Sequence, residues 1–235
     1  MATSDAALWC VVPAAGRGTR FGGDVPKQYL PVAGKPLLLH TLERLAAHPH
    51  IAGLMVVLAA DDAYWPRLLD LNGKPIETTV GGRERADSVL AGLQALPHAV
   101  RAEDFVLVHD AARPCVRAAD IARLVECGSG AILASPVRDT IKSTEADHAG
   151  EAPPHIARTL PRASLWRALT PQMFRRGELT HALQLAHLAG GATDEAAAME
   201  AQGHQPLLIE GADDNIKVTT PADFALAEFL LTRMS

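Results

Sequence analysis

The amino-acid sequence predicts an α/β protein with a mostly parallel sheet covered by helices on both faces. Three observations carry that prediction. Short apolar runs of strand length recur, stretches with helical spacing separate most of them, and the first run leads straight into a glycine-rich loop.

Taken in order, Leu8 to Val12 is apolar, ends in β-branched residues and meets Pro13-Ala-Ala-Gly16, which reads as a buried strand closing in a loop. Pro36 suits the first position of a helix with Leu38, Leu42 and Leu45 on one face. Leu54 to Leu58 is a second buried strand, and a helix is expected from Glu84 to Leu96. Phe105 to Val108, Ala131 to Ala134 and Pro206 to Ile209 are further strands. Thr193 reads as the N-cap of a helix from Asp194 to Gln202, and Thr220-Pro-Ala-Asp223 opens the last helix. Arg138 to Ser164 breaks the pattern: it is polar, contains Pro153-Pro154, lacks helical periodicity and is too long for an ordinary connection. It is expected to be an extended arm that packs on a second subunit. Residues 1–235 are thus expected to form a single domain with an arm insertion at about 138–164.

Composition narrows the class. Of the 235 residues 48% are hydrophobic and 21% charged, which suits a globular chain and argues against disorder. A net charge of −5 without a run of lysine or arginine lacks the footprint of nucleic-acid binding, so a small anion held by local cations is the better expectation. Cys10, Cys115 and Cys127 are odd in number and lack metal spacing, which fits free thiols in a reducing compartment. No basic leader or bilayer-length apolar run is present, so a cytoplasmic protein without a membrane partner is expected. The histidines form no ligand cluster, and Trp9, Trp65 and Trp166 read as packing residues.

The chemistry is expected between Pro13 and Lys27. Small residues let the backbone approach a ligand with its amides forward, and Arg17, Arg20 and Lys27 add positive charge. Such a loop lies where open α/β sheets bind ligands. It matches neither familiar glycine motif: Phe21 stands where the dinucleotide fingerprint needs a small residue, and Gly34-Lys35 is followed by proline instead of Ser or Thr. Alone, the loop reads equally well as a flexible turn with solvated cations.

Further segments follow in order: Pro26-Lys-Gln-Tyr29, Gly81-Gly82 with Arg85-x-x-Ser88-Val89, His109-Asp-Ala-Ala-Arg-Pro114, Pro136-Val-Arg-Asp-Thr140, Thr170-Pro-Gln172, Thr193-Asp-Glu195 and Asn215-Ile-Lys217. Together with the first loop they resemble the 2-C-methyl-D-erythritol 4-phosphate cytidylyltransferase family of the non-mevalonate isoprenoid pathway. The resemblance implies a Rossmann-like nucleotidyltransferase fold with a β-arm for homodimerisation, and transfer of CMP from CTP to methylerythritol phosphate. It places the triphosphate on Pro13, Ala14, Ala15 and Gly16 and makes Arg20 and Lys27 catalytic. It assigns cytosine to Gly82 and Ser88, and gives Asp110 to sugar hydroxyls or to a metal ion. The acceptor would be held by Asp110, Arg113, Thr140, Thr193 and Lys217, with Arg162 and Thr170 arriving from the other subunit's arm region. Mg2+ bound with the CTP phosphates is the implied cofactor. Arg83 stands where other members can carry an acidic residue. Simpler roles compete locally: Ser88 as a helix-lining serine, Asp110 as a turn aspartate and Thr193 as a cap. Ribitol 5-phosphate as acceptor, a sugar-1-phosphate nucleotidylyltransferase and a catalytically silent nucleotide-binding subunit are the alternative functions. Intact Arg20, Lys27, Asp110 and Lys217 argue against the last.

Overall fold

The computed structural model describes residues 8–16, 25–144 and 153–233. The chain begins with β1 (Leu8–Pro13), β2 (Pro31–Val32), β3 (Lys35–Pro36), α1 (Leu37–Ala46), β4 (Ile51–Leu58), β5 (Asp70–Leu71) and β6 (Lys74–Val80). It continues through α2 (Arg85–Ala95), β7 (Phe105–Val108), α3 (Ala118–Glu126), β8 (Ala131–Pro136), β9 (Ile141–Thr144) and β10 (Ile156–Leu160). The last part holds β11 (Trp166–Arg175), α4 (Arg176–Leu188), α5 (Glu195–Ala201), β12 (Leu207–Glu210) and α6 (Pro221–Arg233).

An eight-stranded sheet runs in the order β12-β8-β11-β7-β1-β4-β6-β5. β1 pairs in parallel with both β4 and β7, β4 with β6, and β8 with β12. β11 is antiparallel to β7 and to β8, so the sheet is mixed at that point. The order places β1 at the centre, where both faces are covered. Its alternation shows this directly: Cys10 and Val12 join the core under α1 and α3, while Val11 joins the one under α2 and α4. Burying a leucine such as Leu42 or Leu93 contributes roughly 1.5–3 kcal/mol, so these two layers supply the main drive to fold.

The predicted strands appear, most of them extended by one to three residues. Two caps differ from expectation. Pro36 pairs with Pro31 in the β2–β3 hairpin in an extended conformation, so α1 begins one residue later, at Leu37. Asp194, not Thr193, caps α5, because its carboxylate accepts from the Ala197 amide at 2.9 Å and leaves Thr193 one step outside the helix. The last helix starts as predicted: Asp223 accepts from the Thr219 and Thr220 amides at 2.8 Å, and Thr220 Oγ1 accepts from the Asp223 amide. β9 and β10 form a separate antiparallel ribbon with largely exposed residues, Ile156 being 64% exposed. No helix among the described residues is long and apolar enough to cross a membrane.

Candidate active site

The carboxyl ends of β1, β4, β6 and β7 lie side by side, so the loops that follow them gather at one edge of the sheet. The loop after β1 is anchored at its base, where the Ala14 amide donates to Val57 O at 2.8 Å. Gln28, buried in the short turn Lys27–Tyr29, donates from its amide nitrogen to Ala14 O at 2.8 Å and to Gly16 O at 3.0 Å. One side chain thus holds the loop from behind, and Gly16 faces open space.

The loop after β6 carries Gly81 and Gly82. A Cβ on Gly81 would sit 2.6 Å from Ser88 Oγ and 2.8 Å from the Ala15 Cβ, and one on Gly82 would sit 2.3 Å from the Asp87 Cβ. Both glycines are needed for close packing against the first turn of α2. Ser88 is buried, lines the cleft and donates back to Glu84 O at 3.0 Å, while Glu84 and Asp87 form a capping box at the start of α2.

Asp110 follows β7 and is 6% exposed. Its Oδ1 accepts from Arg85 Nε at 2.8 Å, its Oδ2 lies 3.0 Å from Lys217 Nζ, and Oδ2 also accepts from Arg113 Nε at 3.3 Å. Burial works against the carboxylate charge, but Arg85, Lys217 and Arg113 outweigh it and hold the carboxyl well below the usual range. Arg113 is itself fixed by donating to Asn215 O at 2.7 Å. The Asp110 amide donates to Thr170 Oγ1, which is 3.0 Å from His109 Nδ1, and His109 Nε2 lies 3.1 Å from Arg113 O. Each group in this chain is satisfied when Thr170 donates to Nδ1 and Nε2–H donates to the carbonyl, which requires a neutral imidazole.

Burial pushes His109 down to about 4, although its hydrogen bonds and Asp110 favour the charge. The unfolded chain therefore takes up a proton near pH 6.5 that the folded chain refuses until about 4. Stability is expected to fall by roughly 2–3 kcal/mol as pH drops through that window. Urea midpoints measured from pH 7.5 to 4.5 check this, with His109→Gln expected to show a shallower slope. Equal slopes for the two proteins would remove His109 as the cause.

Lys27 and Lys217, from distant parts of the sequence, line one cleft. Lys27 Nζ donates to Val218 O at 2.6 Å across 191 positions, and the Val218 amide donates to Ala112 O at 2.8 Å. The resulting cleft, about 200 Å³ in volume and open to solvent, is lined by Pro13, Ala14, Ala15, Gly16, Lys27, Gln28, Gly82, Arg83, Ser88, Asp110 and Lys217, among others.

Thr140, Arg162, Thr170 and Thr193 are not among the residues that line the cleft. Arg20 falls outside the described residues. Thr140 and Arg162 are exposed beside the β9–β10 ribbon, where Arg162 donates to Arg138 O, and Thr193 is exposed before α5. Thr170 departs from expectation: it does not belong to an arm but is buried in β11, because Leu169 to Phe174 packs inside the sheet, and it supports Asp110 within the same chain. Four further site residues went unassigned although each stands inside a quoted motif. Gln28 pins the first loop, Arg85 grips Asp110, Glu195 grips Arg85, and Asn215 ties Thr170 to Arg113. No three His, Cys, Asp or Glu side chains group to hold a metal ion among the described residues. A divalent cation would then depend mainly on ligand phosphates, with Asp110 and Glu84 as the carboxylates that line the cleft, a donor set that suits magnesium.

The sequence model of the 2-C-methyl-D-erythritol 4-phosphate cytidylyltransferase family matches residues 8–233. The 2-C-methyl-D-erythritol 4-phosphate cytidylyltransferase of Stenotrophomonas maltophilia (strain K279a) is 59% identical over 233 residues, covering 97% of this chain and 98% of that protein. A solved 4-diphosphocytidyl-2C-methyl-D-erythritol synthase superposes with a TM-score of 0.78 at 34% identity, covering 95% of this chain and 97% of the other. The solved Francisella tularensis 2-C-methyl-D-erythritol 4-phosphate cytidylyltransferase does so with 0.77 at 32%, covering 94% and 98%. With a family match across nearly the whole chain and a relative 59% identical over nearly its full length, the protein belongs to the 2-C-methyl-D-erythritol 4-phosphate cytidylyltransferase family.

Proposed function

We propose that this chain transfers the cytidylyl group of CTP to 2-C-methyl-D-erythritol 4-phosphate, forming 4-diphosphocytidyl-2-C-methyl-D-erythritol and pyrophosphate. The observation that carries this reading is that Lys27 and Lys217 line one cleft together with Ala14, Ala15 and Gly16. An oxygen of the acceptor phosphate attacks the α-phosphorus of CTP in line, the α–β bridging bond breaks, and its electron pair leaves with pyrophosphate. The acceptor phosphate is already ionised, so no general base is needed and positioning is the main task. Lys27, with Arg20, stabilises negative charge on the transferring and leaving oxygens. Lys217 holds the acceptor phosphate against the pull of Asp110, and Gly82 and Ser88 face the base. Asp110 would supply a protein carboxylate for magnesium carried by the triphosphate, and such an ion would shield phosphate charge.

The exposed ribbon supports a homodimer in which Thr140 and Arg162 reach the partner's acceptor site, since a lone two-stranded ribbon is marginal in water. The same reading places the enzyme in the cytoplasm.

The decisive experiment measures pyrophosphate release from each of the four nucleoside triphosphates, with methylerythritol phosphate or ribitol 5-phosphate as acceptor. CTP with methylerythritol phosphate is expected to stand alone. Release with another pair would reassign the substrate, and release with none would leave a silent subunit. Gln28→Ala is expected to raise KM for CTP about tenfold with a smaller change in kcat, because the loop loses both of its rear anchors before ligand arrives. An unchanged KM for CTP would show that the loop is held without Gln28.

A further inference from the structure

Arg85 lines the cleft without offering its fork to it. Its two terminal nitrogens are turned away, to Glu195 Oε1 and Oε2 at 2.7 and 3.0 Å, and only Nε reaches Asp110. Glu195, the first residue of α5, is 0% exposed. α5 itself is pinned to the sheet by Gln172, which donates to Asp194 Oδ2 at 3.0 Å and accepts from the Ala196 amide at 2.9 Å.

A buried ion pair of this kind is a poor device for stability, because well-packed apolar residues often serve as well or better. It is an effective device for orientation, since a bidentate fork fixes the guanidinium in plane and direction. With the fork held, Nε–H meets Oδ1 of Asp110 and leaves Oδ2 to Lys217 and Arg113. Burial opposes the Arg85 charge, yet Glu195 and Asp110 outweigh it and keep the guanidinium protonated.

We infer that Glu195 and Arg85 are positioning residues that act through Asp110, fixing the carboxylate that sets the place of the Lys217 ammonium for the acceptor phosphate. This rests on the cytidylyltransferase reading. A lysine at position 85 keeps the charge but reaches only one of the two carboxylates, so Asp110 loses its fixed orientation. Glutamine at position 195 keeps the volume but presents an amide nitrogen to one arm of the fork.

The test is a double-mutant cycle of Arg85→Lys, and separately of Glu195→Gln, against Lys217→Ala, read as kcat/KM for the acceptor at saturating CTP. Thermal midpoints are recorded to confirm folding. In the otherwise wild-type protein each substitution is expected to lower kcat/KM at least roughly tenfold, with the KM for CTP within about twofold of wild type. In the Lys217→Ala protein the same substitutions are expected to cost less than about threefold, because the group they position is gone. A full loss in both backgrounds, or a lowered thermal midpoint with kcat/KM unchanged, would overturn the inference and leave the pair a structural tie. Two independent substitutions are used, so a variant that fails to fold leaves the other to decide. If the wild-type chain released no pyrophosphate with this acceptor, the parent reading would fall. The cycle would then be read from the affinity for inorganic phosphate in the presence of CTP, by calorimetry, where coupling below about twofold overturns the inference and coupling above about threefold supports it.

Discussion

Replacing Lys27 with alanine is expected to lower kcat by roughly 10²–10³-fold, the loss seen when one preorganised charge-stabilising donor is removed. The size follows from how the ammonium is placed. The turn Lys27–Tyr29 carries it, Gln28 ties that turn to the loop after β1, and Val218 O holds Nζ at 2.6 Å. The charge is fixed before the reaction begins, so little reorganisation is needed as negative charge builds on the phosphate oxygens. Lys27→Arg is not expected to restore the rate, because a planar fork cannot occupy the place of a compact ammonium. Single-turnover kinetics with a measured thermal midpoint checks both variants. Turnover of Lys27→Ala within threefold of wild type, in a folded protein, would exclude Lys27 from transition-state stabilisation.

Lys217→Ala is expected to lower kcat/KM for the acceptor by about 10²-fold, chiefly through a raised KM, while CTP binding changes little. Lys217 is 39% exposed at its side chain and touches Asp110 on one side, so its outer face is open to the cleft. Its loss leaves Asp110 paired with Arg85 and Arg113, and the fold should survive. Asp110 itself is different. Removing it would take from Arg113 its only carboxylate partner among the described residues, in a largely buried place, at a cost of about 3–5 kcal/mol in stability. A Lys217→Ala protein with normal KM for methylerythritol phosphate and a raised KM for CTP would move Lys217 to the nucleotide half of the cleft.

The elements that went unpredicted have identifiable reasons. β6 buries only Ile76 fully and reads as a polar segment, because it pairs with the core on one side and with the two-residue β5 on the other. β11 hides behind Pro171, which argues locally against a strand; its ladder with β8 is irregular between Ala168 and Gln172, where that proline sits. Thr193 and Asp194 are both good cap residues, and only the backbone geometry chose Asp194. Thr170 was legible as a site residue, yet its role was decided by a chain of hydrogen bonds through residues 60 positions away.

By itself, the sequence determined that this is an α/β chain and which family it resembles, and it singled out the loop after the first strand. These rest on local patterns: apolar runs of strand length, helix caps and ordered motifs that need no knowledge of neighbours. Tertiary structure alone decided that Lys27 meets Val218, that three cations converge on Asp110, and that Glu195 turns the fork of Arg85 away from the cleft. Such contacts join residues up to 191 positions apart, and their distances depend on which strands lie side by side, which no local pattern of residues encodes.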